Sequence, residues 1–193
     1  MRLLRNVLLG IAVLSLGYCG FVRADSWVFQ YRASRQFGQA LHAPPVAGED
    51  PPADLRGILG RIEVPRLGIS VLVAEGTSGG VLRRAAGHVE GTALPGQTGN
   101  VGISAHRDTF FRPLRNVRKN DAITLNTLRG VYEYRVVSTK IVDPADVGVL
   151  AASGGESLTL VTCYPFYFIG PAPSRFIVRA ERVGATVESP TAP

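Results

Sequence analysis

Residues 158–165 read Leu-Thr-Leu-Val-Thr-Cys-Tyr-Pro, a run of strand-forming residues that ends in a cysteine, a tyrosine and a proline. Because side chains alternate along a strand, Thr159, Val161 and Cys163 are predicted to share one face. Pro165 cannot donate a ladder hydrogen bond, so the strand is expected to end there. The pattern therefore predicts a rigid strand that presents Cys163 at an open end.

Short apolar runs separated by turn residues continue on both sides of this strand, and the chain has 22 glycines and 13 prolines to form the turns. Eight strands in about 130 residues indicate a mainly all-β fold, either a small closed barrel or a sandwich. Most connections are too short for helical crossovers, which disfavours a doubly wound parallel sheet. The predicted strands are 60–64, 70–74, 101–105, 122–125, 131–138, 140–142, 158–163 and 176–182, with short helices at 79–86 and 144–151, the second capped by Asp143.

The N-terminus carries an apolar run from Val7 to Val22 with arginines on both sides. As a helix, this run reaches roughly 24 Å, slightly less than a ~30 Å hydrocarbon layer, and snorkelling arginines can close the gap. Residues 1–23 are predicted to be an uncleaved membrane anchor whose N-terminus is cytoplasmic. A cleaved signal peptide and a lipoprotein attached at Cys19 remain open. All three alternatives place the rest of the chain outside the cytoplasm.

The length of 193 residues has room for one domain besides the anchor. Trp27 and Tyr31 suit a membrane–water interface and recur at roughly helical spacing, so a helical stalk is predicted there. Beyond residues 1–23 the predicted segments are a helical stalk and Pro-rich linker at 24–56, a folded domain at 57–185 and a flexible tail at 186–193.

The composition is 46% hydrophobic and 19% charged, which excludes wholesale disorder. The net charge of +6 includes one dense basic cluster, formed by Arg107, Arg112, Arg115, Arg118 and Lys119. We interpret this cluster as a solvated face; a wall that attracts an acidic partner and a nucleic-acid site are the alternatives. No nucleic-acid partner is expected.

The two cysteines, Cys19 and Cys163, cannot pair because a membrane boundary separates them. Cys163 is therefore a lone thiol in a compartment that oxidises thiols. Taken by itself, a buried structural cysteine is the commoner explanation of such a residue. The catalytic alternative depends on what lies near it.

Two other side chains are candidates for that neighbourhood. His106 ends a strand-like run and precedes a loop, where an imidazole can exchange protons with a thiol. Arg175 opens the last strand, and antiparallel pairing would return its guanidinium to Cys163 as an oxyanion ligand. A structural histidine and a surface arginine are the alternatives, and His88 is predicted to have a structural hydrogen-bonding role. No His/Cys cluster has ligand spacing, so no metal or cofactor is expected.

These residues together, in the order His, Cys, Arg, resemble the sortase family. The run from Thr159 to Cys163 matches the family's TLxTC signature, and Arg175 falls where the family places its arginine. His-Arg-Asp-Thr-Phe-Phe from His106, with Cys-Tyr-Pro-Phe from Cys163, is most similar to class D sortases and their relatives in Gram-negative bacteria. Serine and alanine before His106 depart from the glycine that the family more often has, which bears on substrate subclass.

The resemblance implies an eight-stranded sortase-type β-barrel with one or two short helices, preceded by a transmembrane helix. It also implies a transpeptidase of the cysteine-peptidase class that acts on a protein substrate bearing a C-terminal Leu-Pro-x-Thr-Gly-like sorting signal. Cys163 would form a thioester, His106 would move protons, and an amine acceptor in the cell envelope would receive the protein. Thr162, Tyr164 and Ala105, which lie beside the catalytic candidates, are candidates for substrate contact.

Other cysteine enzymes fit the sequence less well. Caspase-like proteases need Gln-Ala before the cysteine, papain-like proteases place the cysteine first, and L,D-transpeptidases need His-Gly where Val161 and Thr162 stand. A non-catalytic, membrane-tethered β module with Cys163 in its core belongs to a different class. Alkylation in the native state separates the two classes, because a core thiol does not react.

Overall fold

A barrel of eight strands forms the body of the protein in a computed structural model that describes residues 1–42, 55, 57–152, 154–167 and 169–184. A long helix precedes it and a short one follows the second strand. The elements are α1 (Arg2–His42), β1 (Ile58–Val64), β2 (Ile69–Glu75), α2 (Gly79–Arg84), β3 (Ala86–His88), β4 (Gly99–Ser104), β5 (Ala122–Thr127), β6 (Gly130–Val142), β7 (Glu156–Tyr164) and β8 (Ser174–Arg182), with 3₁₀ turns at Pro65–Leu67, Arg112–Asn116 and Val147–Leu150.

The strands follow the order β1-β2-β3-β4-β7-β8-β6-β5 around a closed barrel, and β5 pairs with β1. The β2/β3 and β4/β7 pairs are parallel, and the other pairs are antiparallel. A closed barrel leaves no strand with unpaired backbone groups along a free edge. The predicted all-β class is therefore confirmed, and the structure decides for a barrel over a sandwich.

The prediction and the structure both have eight strands, but they differ in two places. The predicted strands 131–138 and 140–142 are one strand, β6, whose register shifts between Val136 and Ser138. The sequence did not predict β3, because three residues are too few to show an alternating pattern. The middle residue of β3, Gly87, is required by packing, since a Cβ there would collide with the carbonyl oxygen of Gly76.

Both predicted short helices are shorter in the structure. The first ends at Arg84, and Ser78 caps it by accepting a hydrogen bond from the Val81 amide. The second is only the 3₁₀ turn Val147–Leu150. Asp143 does accept a hydrogen bond, from the Ala145 amide at 2.8 Å, but it closes a turn and does not begin a helix.

A buried polar network joins the strands that carry the candidate site. The Asn100 Oδ1 of β4 accepts hydrogen bonds from Thr159 Oγ1 at 2.8 Å and Ser157 Oγ at 3.3 Å on β7. Arg179 of β8 donates to Thr159 at 3.0 Å. Because Asn100 and Thr159 are 1% and 0% exposed, these bonds have little competition from water and fix the register of β4 against β7.

The predicted stalk is the second half of α1, and it is docked on the barrel. Phe37 and Ala33 pack against Leu72 of β2 in a separate apolar cluster. The Gln30 amide nitrogen donates to the Arg84 carbonyl at 2.6 Å, and its oxygen accepts from the Leu72 amide at 3.2 Å. The helix is therefore held at a fixed angle to the barrel.

The first half of α1 is exposed along its length, and the helix is long and apolar enough to cross a membrane. Trp27 and Tyr31 are 67% and 47% exposed on α1, and their rings stack on each other at 5.5 Å. The Pro-rich part of the predicted linker, at 43–54 and 56, and the predicted tail at 186–193 lie outside the described residues.

An ion pair links the 3₁₀ turn after β1 to the start of β5. Arg66 donates two hydrogen bonds to the buried carboxylate of Asp121, which also accepts from the Arg118 amide at 2.8 Å. The hydrogen bonds from Arg66 lower the pKa of Asp121 from its ordinary value of 3.8. A carboxyl with a lowered pKa stabilises the fold above its unfolded pKa, and this stabilisation is lost as the pH falls through the folded value.

Asp121→Asn is therefore expected to lower the melting temperature at pH 7 by roughly 2–4 °C. The difference from the wild type should shrink as the pH falls below 3.8 towards the lowered pKa of the wild-type carboxyl, where that carboxyl also becomes neutral. Thermal unfolding at pH 7 and pH 3 measures both effects. Asp146→Asn is the control, since that carboxylate faces Lys140 at 4.0 Å in a mostly exposed pair. Equal losses at both pH values would contradict the prediction.

Candidate active site

The topology brings the ends of three strands to one edge of the barrel. Because β4 and β7 are parallel, their carboxyl ends lie together, with Ser104 opposite Val161 and the Ala105 amide donating to the Val161 carbonyl at 3.2 Å. The antiparallel strand β8 begins at the same edge, where Cys163 is the register partner of Arg175. His106 follows β4 by two residues. The backbone thus places all three predicted catalytic residues at one edge.

Cys163 is a free thiol and is half-buried, one residue before the end of β7. It lies outside the aliphatic core of the barrel. The next residue, Tyr164, contacts the rings of Phe166 and Phe176 at 6.0 and 6.3 Å, and those two rings meet at 5.3 Å. The three rings form an apolar cluster around the residue that follows Cys163, and this cluster restrains the end of the strand.

Two of the candidates for substrate contact belong to the scaffold beneath the edge. Thr162 and Ala105 are 2% and 3% exposed, and the Thr162 hydroxyl donates to the Ala105 carbonyl at 2.7 Å. This bond ties the residue before Cys163 to the residue before His106. Tyr164 is partly accessible to solvent, so direct substrate contact is retained as a proposal for Tyr164 alone.

Arg175 is half-buried and its guanidinium is oriented by the loop before β8. Its Nη1 donates to the carbonyls of Ala172 at 3.4 Å and Ser174 at 3.2 Å. A guanidinium has five N–H donors, so these contacts leave others for a ligand. The loop therefore restrains the side chain without using up its hydrogen-bonding capacity.

His106 is half-buried at the start of a turn, and its carbonyl accepts from the Phe111 amide at 3.2 Å. The position of Asp108, two residues after His106, suggests that it orients the imidazole or caps the turn. Its carboxylate makes no hydrogen bond to His106 or to any other described residue, so the structure shows neither role. Elsewhere, His88 is 2% exposed and bonds to Glu75, Thr92 and the Ala93 carbonyl at 3.0 Å each, which confirms its structural role.

Arg107 was predicted only as a member of the basic cluster, but it connects the two sides of the candidate site. Its guanidinium donates to the carbonyls of Pro165 and Gly170 at 3.0 Å each, in the loop between β7 and β8. Arg115 of the same cluster lies over the Tyr167 ring at 5.5 Å. Nothing in the sequence separates Arg107 from its basic neighbours, because its acceptors are backbone carbonyls 58 and 63 residues away.

Loss of this clamp is expected to reduce catalysis without unfolding the barrel. Arg107→Met keeps an apolar stem and removes the donors, so the loop between Cys163 and Arg175 loses its fixed position. For the transfer reaction that the resemblance implies, we expect kcat/KM to fall by roughly 10–100-fold, with most of the loss in kcat. Steady-state kinetics measures it, with the melting temperature as a check on folding.

Two variants test whether this effect is one of position. Arg107→Lys should recover part of the activity, because an ammonium can reach one of the two carbonyls. Arg118→Met is the matched control, since the Arg118 side chain makes no hydrogen bond to a described residue. Activity of Arg107→Met equal to that of Arg118→Met would remove Arg107 from the site.

Within the part of the chain that the structure describes, no three His, Cys, Asp or Glu side chains converge as metal ligands do. The site consists of a half-buried thiol, an imidazole and a restrained guanidinium at one edge of the barrel. Chemically, these groups suit covalent attack on a carbonyl carbon, proton transfer and stabilisation of an oxyanion.

A closed eight-stranded barrel with a cysteine, a histidine and an arginine at one edge defines a class of β-barrel proteins with a thiol-centred site. Residues 62–183 match the family model of the sortase domain. The chain therefore belongs to the sortase family of cysteine transpeptidases.

Individual relatives agree with this assignment. Sortase D of Bacillus subtilis (strain 168) is 36% identical over 125 residues, which is 64% of this chain and 63% of that relative. The aligned segment thus spans less than two thirds of the Bacillus protein. Sortase C1 from Streptococcus agalactiae superimposes with a TM-score of 0.63 at 33% identity, covering 69% of this chain and 72% of the other.

A Clostridium perfringens Sortase D5 transpeptidase has a TM-score of 0.68 over 81% of this chain and 99% of its own, at 24% identity. At that identity the likeness concerns the fold alone. It confirms the predicted sortase-type barrel.

Proposed function

We propose that this protein is a membrane-anchored, class D-like transpeptidase that cleaves a Leu-Pro-x-Thr-Gly-like sorting signal and transfers the protein to an amine of the cell envelope. The observation that carries the proposal is the pairing of Cys163 with Arg175 beside the end of β4. The likeness to Bacillus subtilis Sortase D supports the class. The proposal of a Gram-negative origin rests only on the sequence of residues 106–111 and 163–166.

In the first step, His106 takes the proton of the Cys163 thiol, and the resulting thiolate attacks the threonine carbonyl carbon of the sorting signal. A C–S bond forms, the C–N bond to the next residue breaks, and the imidazolium of His106 gives its proton to the departing amine. The Arg175 guanidinium stabilises the oxyanion of the tetrahedral intermediate. The product of this step is a thioester between the protein substrate and Cys163.

In the second step, an amine attacks the thioester carbonyl carbon. Neutral His106 takes the proton that the amine loses, a new C–N bond forms, and the Cys163 sulfur leaves. The amine acceptor decides the biological product, and water in its place would give hydrolysis.

The membrane placement is part of the same proposal. The first half of α1 spans the membrane with its N-terminus in the cytoplasm, and the catalytic domain at 57–185 lies outside. A substrate with an apolar span after its sorting signal would be held in the same membrane. Enzyme and cleavage site would then meet in two dimensions, which raises their effective concentration.

The test uses the full-length protein with a peptide that carries the sorting signal and a small primary amine. Intact-mass analysis should show an adduct equal to the N-terminal part of the peptide, and fragmentation should place it on Cys163. Product analysis should show the amine joined to threonine. Hydrolysed peptide alone, with no amine product, would indicate a cysteine protease. A thiol that neither forms the adduct nor alkylates in the native state would indicate a non-catalytic module.

A further inference from the structure

A cavity of about 490 Å³ lies between α1 and the barrel, apart from the thiol-bearing edge. Its walls come from the part of α1 that begins at Val22, from the end of α2, and from the turn that starts two residues after His106. Three arginines from these three elements line it: Arg23, Arg83 and Arg112. Cations from separate elements thus converge on one open space.

The three guanidiniums are available to a ligand. All three residues are exposed, and their side chains make no hydrogen bond or ion pair with a described residue. Arg83 acts on Asp25 only as a minor cause of the lowered pKa of that carboxyl, which is due first to the hydrogen bond from Arg84. The carboxylate of Asp108 is the acidic group on the cavity wall. Three positive charges against one negative charge leave an excess that suits an anion.

The cavity lies where the headgroups of a membrane would be. An α-helix rises 1.5 Å per residue, so the cavity-lining part of α1, from Val22 to Gln30, extends roughly 12 Å beyond the apolar run. The headgroup layer on one side of a bilayer is roughly 5–8 Å deep. Trp27, which also lines the cavity, is 67% exposed and stacks on Tyr31, and such rings favour the interface.

The remaining wall residues suit an amphipathic ligand. Val22, Trp27 and Phe110 supply apolar surface, while Ser26 and Thr109 supply hydroxyl donors. A phosphate diester takes paired hydrogen bonds from guanidiniums, and its glycerol and upper acyl carbons can lie on the apolar part. A free phosphate would leave that apolar part uncovered.

We propose that this cavity binds the headgroup of an anionic phospholipid, such as phosphatidylglycerol, in the membrane leaflet that faces the barrel. The proposal rests on the proposed anchor but not on the transpeptidase assignment. A bound lipid would bridge α1, α2 and the turn after His106. It would hold the thiol-bearing edge at a fixed height above the membrane, next to the position of a membrane-held substrate.

Trp27 is the sole tryptophan in the sequence, so tryptophan fluorescence reports on this cavity. Full-length protein is reconstituted in phosphatidylcholine nanodiscs that contain a small fraction of nitroxide-labelled lipid, either phosphatidylglycerol or phosphatidylcholine. We expect the labelled phosphatidylglycerol to quench Trp27 more strongly than its phosphatidylcholine counterpart. Equal quenching by the two lipids would overturn the proposal.

Charge-removing variants locate the site. Each positive charge removed near the membrane surface should reduce the preference for phosphatidylglycerol by roughly fivefold. The double variant Arg83→Gln/Arg112→Gln should therefore abolish this preference. Arg129→Gln, in the β5–β6 turn, makes the same change away from the cavity and should behave as wild type. If Arg129→Gln lost the lipid preference to the same extent, the lipid would be attracted by the general surface charge of the protein. That result would overturn the proposal of a specific site in the cavity.

Two further measurements separate the remaining explanations. Inorganic phosphate at millimolar concentration should leave the lipid quenching unchanged; full competition would assign the cavity to a soluble anion and overturn the lipid proposal. Extraction with alkaline carbonate should leave every variant in the membrane. Release of the wild type would refute both the anchor and the lipid site. Peptide transfer in detergent is a separate measurement that tests the transpeptidase assignment alone.

Discussion

Cys163→Ala is expected to abolish both the thioester and the amine product, reducing transfer by roughly 10³-fold or more. The alanine side chain has no atom that can form the covalent intermediate, and the proposed chemistry has no route that avoids this intermediate. The fold should survive, because Cys163 is half-buried and lies outside the core cluster. The melting temperature should stay within roughly 2–4 °C of the wild type.

The chain offers a matched control in its other cysteine. Cys19→Ala makes the same chemical change in α1, at an exposed position of the predicted membrane span, and should retain wild-type transfer. Transfer is measured with the sorting peptide and an amine, and the adduct by intact mass. Amine product formed by Cys163→Ala at a rate near that of Cys19→Ala would end the assignment of the nucleophile.

Arg175→Lys is expected to lower kcat by roughly 100-fold, which is the usual cost of losing one oxyanion donor. A lysine keeps the positive charge but replaces a planar fork by a single ammonium on a flexible stem. The loop carbonyls of Ala172 and Ser174, which orient the guanidinium, would compete for that ammonium. The loss should therefore appear in kcat more than in KM.

Another arginine on the same strand controls for the substitution itself. Arg179 lies four residues along β8 and donates to Thr159 of the buried network, away from the thiol. Arg179→Lys should keep most of the turnover, although it can cost stability. Turnover in Arg175→Lys equal to that in Arg179→Lys would remove Arg175 from the mechanism and leave it a structural role in the loop.

Much of the barrel was predictable because its signals are local. Alternating side chains and turn residues located seven of the eight strands, within two residues at every outer end. The exceptions have physical reasons. β3 is too short to show a pattern and forms because β2 and β4 pair with it on both sides. The bulge in β6 divides one strand into two apparent ones.

The candidate site was predictable in part for the same reason. The sequence shows a lone cysteine at one strand end and a histidine at another. The sortase-like motifs around them identified Arg175 as the third candidate. Arg107 was not predictable as a clamp, since its partners are backbone carbonyls that any residue type supplies. The sequence also did not predict that Thr162 and Ala105 are buried, because their neighbours Cys163 and His106 are partly open to solvent.

The sequence by itself determined the apolar N-terminal segment, the all-β class and three candidate catalytic side chains, since hydropathy runs and residue alternation depend only on near neighbours. Only the tertiary structure decided that β4 and β7 lie side by side, that Arg107 spans the site, and that the stalk docks on the barrel beside an arginine-lined cavity. The hydrogen bonds in these features join residues that are about sixty positions apart. Such contacts depend on which surfaces fit together after the chain closes, and no local preference encodes that choice.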